Sequence, residues 1–203
     1  IKCKPFQIPA FWPRIAGIDI GWDHPTAAAW LAWDRDNDIV YLYDVHKLSK
    51  STPAVHSVAI KARGDWIPVA WPHDALQHDK GSGEAVANQY RKLGVNMLKN
   101  KASHPPAHGQ KEGEGGNSVE AGLLEMSQRM ETGRFKVFEH LEDWLFEYRL
   151  YHRKDGKIVK ELDDAISGSR YGIMMLRHAK TKPMEKDKAP AVNYTPTYGD
   201  MGY

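Results

Sequence analysis

Between residues 14 and 48 the apolar positions fall into three short runs, Ile15 to Ile20, Thr26 to Trp33 and Ile39 to His46. The third alternates apolar and polar residues through VYLYDV, the two-residue period of a half-buried strand. Asp34 to Asp38, DRDND, separates the last two runs and suits a hairpin turn. Three strands with such short links predict an antiparallel meander. The period then changes. Ser51-Thr52-Pro53 reads as a helix start, a hydroxyl followed by proline, and Val55, Val58, Ala59 and Ala62 continue at helical spacing. Trp66 to Trp71 forms a short apolar strand closed by Pro72. Glu84 to Leu93 reads as a helix ended by Gly94, and Val95 to Leu98 as a further short strand.

Lys99 to Ser118 shows no hydrophobic period and is expected to be mobile. Asn117 or Ser118 can cap a helix running to about Thr132, Gly133 ends it, and FKVF is another short strand. Leu141 to Tyr148 is helical, with Leu141, Trp144, Leu145 and Tyr148 on one face. Tyr151 to Val159 suits a short hairpin around Asp155-Gly156, and a last helix starts near Asp163-Asp164. A meander followed by alternating strands and helices predicts an α/β fold, a mixed sheet with helices on both faces. The proline-containing segment 1–13 reads as a linker, 14–179 as the domain, and the proline- and lysine-rich segment 180–203 as a flexible tail.

Composition narrows this only slightly. A chain of 203 residues fits one domain with tails, and a formal charge of +2 selects no partner by itself. One cysteine, Cys3, excludes an internal disulfide framework and a cysteine-rich zinc site. No apolar run reaches the roughly 18 residues of a membrane span. The start lacks both an initiator Met and a signal-peptide core, so a piece of a longer chain is expected.

The chemistry begins with Asp19, a carboxylate inside an apolar strand. Ionised and unpaired there, it would cost several kcal/mol. Asp19 shares a strand face with Gly17 and Gly21, which leave space for an ion or phosphate to approach. Asp74, in VAWPHDA, follows the strand that ends at Trp71, and ligands gather at the carboxyl ends of strands in open α/β sheets. Asp163-Asp164 opens the final helix. One of the pair suits capping; a second adjacent carboxylate is less easily explained that way. Each acid alone has an ordinary reading as a turn or cap residue. Together they describe a carboxylate on a central strand, one at a neighbouring strand end, and one at the start of a helix packed on the sheet. Acids so close need cations among them. Hard divalent ions prefer oxygen ligands, and two of them roughly 4 Å apart can clamp a phosphodiester.

In order and setting, AGIDIGWDHPTAAAW, VAWPHDA and KELDDAISGSRYGI resemble the ribonuclease H-like nuclease superfamily. Within it the chain, from about Arg14 to Ala179, resembles the nuclease domains of large terminases from headful-packaging, short-tailed bacteriophages. The resemblance implies a ribonuclease H-like sheet and a DNA endonuclease that cuts concatemeric double-stranded DNA when packaging starts and ends. It implies catalytic Asp19, Asp74 and Asp164, with Asp163 beside them as a further metal ligand, and two Mg²⁺ or Mn²⁺ ions. Many family members carry a further Asp-Ala where this chain has Ser167 and Gly168, so a fourth carboxylate is missing. The implied partners are an N-terminal ATPase domain of the same full-length chain, a portal ring and a small terminase subunit, acting in the host-cell cytoplasm without a membrane. This chain has no GxxxxGK[ST] phosphate loop, so ATP hydrolysis would belong to another part.

Lys99, Lys101, Arg153, Lys154 and Lys157 are candidate phosphate contacts, each equally well read as a solvated basic group, and Arg170, roughly two turns into the acid-bearing helix, is placed to reach either DNA or a carboxylate. His24, His73 and His78 neighbour the acids but read as surface or supporting groups, and Trp22 is placed to border a cleft. Three other readings stay open. GIDIG also opens actin-like and sugar-kinase ATPases, which need a second related half in a longer chain. A four-way-junction resolvase shares the same fold, and a docking module without activity would need no complete set of acids.

Overall fold

The computed structural model describes residues 1–72, 83–154, 157–158 and 162–183. Its main sheet has six strands. These are β1 (Lys2–Cys3), β2 (Arg14–Asp19), β3 (Thr26–Asp34), β4 (Ile39–Leu48), β5 (Val69–Ala70) and β6 (Phe135–Phe138), in the spatial order β1-β6-β4-β3-β2-β5. β2, β3 and β4 form the expected antiparallel meander, whereas β5, β6 and β1 join in parallel. Lys2–Cys3, in the segment read as a linker, extends the sheet along β6. Only Val69–Ala70 of the apolar run 66–71 pairs with β2. The stretch expected as a strand at 95–98 makes a single bridge, Met97 to Val69.

The helices are α1 (Pro53–Ala62), α2 (Gly83–Lys92), α3 (Val119–Glu131), α4 (Glu142–Leu150) and α5 (Asp164–Met174). A short hairpin, β7 (Arg153–Lys154) with β8 (Lys157–Ile158), follows α4. Proline at the first position of α1 and the Ser118 hydroxyl accepting the Ala121 amide at α3 supply helix starts where the sequence placed them.

Strand alternation divides the core in two. On one face Ile15, Ala27, Ala29, Leu31, Phe135 and Val137 pack with Trp144 of α4 and with Ile173 and Met174 of α5. On the other, Ala16, Ile18, Ala28 and Trp30 pack with Ile60 of α1 and with Ala87 and Tyr90 of α2. The sheet is thus covered on both sides, as the pattern predicts.

α5 lies unusually close to β2. A Cβ added at Gly17 would sit 2.0 Å from the Gly168 carbonyl oxygen and 2.5 Å from the Gly172 nitrogen. The room beside Asp19 that the sequence suggested for an ion is therefore filled, at Gly17, by helix backbone. At Gly21 an added Cβ would strike the His24 carbonyl oxygen at 2.4 Å, so that glycine closes a tight loop instead.

Lys99 to Ser118, expected to be mobile, is tied down by partners remote in sequence and by a bond across the loop itself. The Ala102 amide donates to the Trp71 carbonyl and the His104 amide to the Gly116 carbonyl. Arg177 forms an ion pair with Glu112 at 2.6 Å and donates to the Ser103 carbonyl at 3.2 Å. Lys180 pairs with Arg14, 2.7 Å and 3.0 Å for the two backbone bonds. Positions 184–203 of the expected tail lie outside the described residues.

Candidate metal centre

Asp19 ends β2, and its register partner on β3 is Ala27; Ala27 in turn sits opposite Lys47 of β4. Directly opposed residues on neighbouring antiparallel strands point to the same face. Asp19, Ala27 and Lys47 therefore form one cross-strand row, with Asp19 and Lys47 two strand spacings apart, about 10 Å. This is the face that α5 covers, since a Cβ added at Gly168 would lie 3.0 Å from the Gly17 carbonyl oxygen and 3.3 Å from that of Ala27. Asp164 lies one turn before Gly168, about 6 Å along the helix axis. Asp19 lies two residues beyond Gly17, about 6.6 Å along β2.

The Asp164 carboxylate, largely buried, lies 3.4 Å from the Lys47 ammonium. Asp19 and Asp164 thus belong to the same end of the same sheet face. Asp163 occupies the N-cap position of α5 and is half-buried, but its side chain makes no capping bond. β5 ends beside β2 with Ala70 opposite Gly17. Asp74, His73 and His78 lie outside the described residues, among which no group of three His, Cys, Asp or Glu could hold a metal ion.

The capping role expected of the paired aspartates falls to Glu147. It is 1 % exposed, and its Oε2 accepts the Ala165 and Ile166 amides of α5 at 2.9 and 3.1 Å. Its Oε1 accepts from Lys47 Nζ at 2.5 Å. Burial pushes the Glu147 carboxyl above the usual carboxylate range, against the pull of Lys47 and the Ile166 amide. Burial also presses on Lys47, but Glu147 and then Asp164 outweigh it and hold the ammonium above its ordinary value. With three donors converging on it, Glu147 forms a charged pair with Lys47 at neutral pH. The sequence reading missed both residues. One signal was present: Glu147 is three residues from Trp144 and so shares the apolar face of α4, an anomaly of the same kind as Asp19 in its strand.

Lys99 and Lys101 follow the Met97 bridge to Val69 and precede the Ala102 bond to Trp71, which brings them alongside the end of β5. Lys99 is exposed and Lys101 half-buried. Arg153, Lys154 and Lys157 lie on the β7–β8 hairpin. Arg170 does not reach a surface where DNA could pass. It is 5 % exposed, stacks over the Tyr171 ring at 4.4 Å and fills the space left by Gly122 of α3. Its cation is used in packing α3 onto α5, so it leaves the set of phosphate-contact candidates. Trp22 is 57 % exposed, three residues beyond Asp19. Its loop is closed by the Thr26 hydroxyl, which donates to the Gly21 carbonyl at 2.9 Å and accepts from the Gly21 amide at 3.2 Å.

A family model described as the terminase RNaseH-like domain matches residues 16–176. The chain belongs to this family. It is 46 % identical over 197 residues to the large terminase subunit of Salmonella phage P22, a match covering 94 % of this chain and 38 % of that subunit. The chain thus spans well under half the length of that relative. Among solved structures, the nuclease domain of the P22 large terminase superposes with a TM-score of 0.81 at 46 % identity, covering 89 % of this chain and 90 % of that one. The nuclease domain of the large terminase g2p from bacteriophage SPP1, solved with bound Mn, gives a TM-score of 0.55 at 15 % identity over 82 % of this chain and 87 % of that one, a likeness of fold alone. The ribonuclease H-like sheet of this terminase domain therefore matches the fold that its motifs imply. No helix among its described residues is long and apolar enough to cross a membrane.

Proposed function

We propose that this terminase domain is a divalent-metal-dependent DNA endonuclease, the cutting part of a phage genome-packaging motor. The observation that carries the reading is the row of Asp19 and Lys47 beneath the helix start that bears Asp164. The 46 % identity to a domain named as a nuclease supports it, as does the Mn reported in the SPP1 domain of like fold.

The donor chemistry suits a hard cation, although the described aspartates do not by themselves make a group that could hold one and Asp74 would have to complete it. Asp19, Asp163 and Asp164 offer only oxygen, as Mg²⁺ and Mn²⁺ prefer. These residues, with Asp74, would hold the metal, which when bound supplies an activated water and charge stabilisation at the scissile phosphate. The protein's own part is positional. β2 fixes Asp19, Glu147 fixes the first turn of α5, and Lys47 offsets part of the negative charge that Glu147 and Asp164 bring to one place. Lys99, Lys101 and the basic β7–β8 hairpin would contact phosphates without reading bases, so binding would weaken with salt.

The substrate is concatemeric double-stranded DNA, cut at the beginning and end of packaging. Asp19, Asp74, Asp163 and Asp164 together would offer ligands for two ions. The motor ATPase lies in another part of the full-length chain, and the assembly includes a portal ring and a small subunit in the host cytoplasm. Plasmid nicking in Mg²⁺ or Mn²⁺ tests the core of this. The wild-type chain nicks, and Asp19→Asn does not. Equal cutting by both would remove Asp19 from the site and defeat the proposal. Nicking of four-way junctions far in excess of linear duplex would favour a resolvase instead.

A further inference from the structure

We propose that Lys47, held by Glu147, is the positioning residue of the metal centre, fixing one oxygen of Asp164 and leaving the other for the ion. This rests on the nuclease reading above. Three elements meet at one point. Lys47 comes from β4, Glu147 from α4 and Asp164 from the first residue of α5. Glu147 uses Oε2 to bind the Ala165 and Ile166 amides, the two that directly follow Asp164. It uses Oε1 to hold the Lys47 ammonium, whose distance to Asp164 Oδ2 is 3.4 Å. One buried carboxylate therefore fixes both the backbone that carries Asp164 and the cation that orients its side chain.

The register gives this a direction. Lys47 shares its row with Asp19, so its ammonium approaches Asp164 from the sheet face that bears the first acid. A lysine needed only to neutralise Glu147 has no requirement to lie in that row or to touch a second carboxylate. Outer partners that orient metal ligands typically change metal affinity 10- to 100-fold when removed.

The test is Mn²⁺ titration by calorimetry on this chain, with thermal melting in parallel. In the charge-balanced double variant Lys47→Met with Glu147→Gln, the glutamine carbonyl still accepts the α5 amides, the net charge is unchanged, and Asp164 is the one charge left where the three elements meet. We expect it to melt near the wild type and to bind Mn²⁺ about 10- to 100-fold more weakly. Lys47→Gln keeps a donor for Glu147 but is too short to serve both carboxylates. It is expected to show the same loss, and Lys47→Arg to restore most of the affinity. Unchanged Mn²⁺ affinity in both weakened variants would mean that Lys47 serves the fold alone. Tighter binding would mean that its ammonium competes with the ion; either overturns the inference while leaving the nuclease reading intact. A wild-type chain that binds no Mn²⁺ overturns both.

Discussion

Gly17→Ala should both destabilise the domain and disable it. The added methyl would lie 2.0 Å from the Gly168 carbonyl oxygen and 2.5 Å from the Gly172 nitrogen, whereas ordinary contact begins near 3.4 Å. Opening the shorter contact requires about 1.4 Å of movement, the difference of those two figures, and the obstructing atoms are backbone that no rotamer change can clear. Overpacking costs typically 1–3 kcal/mol, and with peptide groups as the obstruction we expect about 3 kcal/mol. For a domain of this size that lowers Tm by roughly 6–12 °C. The movement falls on α5, whose first residue is Asp164, and a misplacement of about 1 Å in a catalytic group can cost about 100-fold in rate. Gly168→Ala meets the Gly17 carbonyl oxygen at 3.0 Å and should be milder, while Gly116→Ala meets nothing within 4 Å and should be silent. Urea or thermal melts and plasmid nicking on the three variants provide the ranking. A Gly17→Ala protein that melts and nicks like the Gly116→Ala control would refute the argument.

Glu147→Ala strips two α5 amides and one ammonium of their partner, and breaking such a buried pair should cost about 3–5 kcal/mol in urea denaturation. Arg170→Ala should lower Tm through lost packing against Gly122 and Tyr171 yet leave DNA affinity in a filter-binding assay unchanged. Glu112 has its carboxyl held below the ordinary range, chiefly by the Arg177 hydrogen bond, against a smaller opposing effect of burial and with help from His178. Its stabilising contribution is therefore present above the unfolded value and lost as pH falls through the depressed folded value. Protection factors for amide exchange across 99–118, taken relative to the intrinsic rate at each pH, should fall in that acid range, and Glu112→Gln should show the lower protection already at neutral pH. Trp22→Ala should weaken DNA binding several-fold without changing Tm, and the loss of tryptophan emission on adding duplex should be smaller in this variant than in the wild type.

The meander was legible because its strands are local: alternation in VYLYDV and the DRDND turn specify β3–β4 within a few residues. FKVF and the α5 start at Asp163-Asp164 were legible for the same reason. β1 was not, because two residues beside three prolines become a strand only when β6, over 130 positions away, offers its edge. The loop 99–118 looked mobile by composition, but its order comes from Trp71, Arg177 and His178, which no local pattern could show. At the candidate centre, Asp19 and Asp164 stood out as charges in apolar or doubled settings. Lys47 and Glu147, 100 residues apart, meet only through the sheet register and the packing of α4 on α5. Gly17 was noticed but given the wrong neighbour, since a missing side chain in the sequence does not say what enters the gap.

Where α5 crosses β2, main chain rests on main chain. Most helix–sheet contacts are cushioned by side chains that hop among rotamers and blur small shifts. A contact between peptide planes has no such slack, so strand and helix travel as one body under thermal motion. A load on either element would be passed to the other, and Asp19 and Asp164 would shift together.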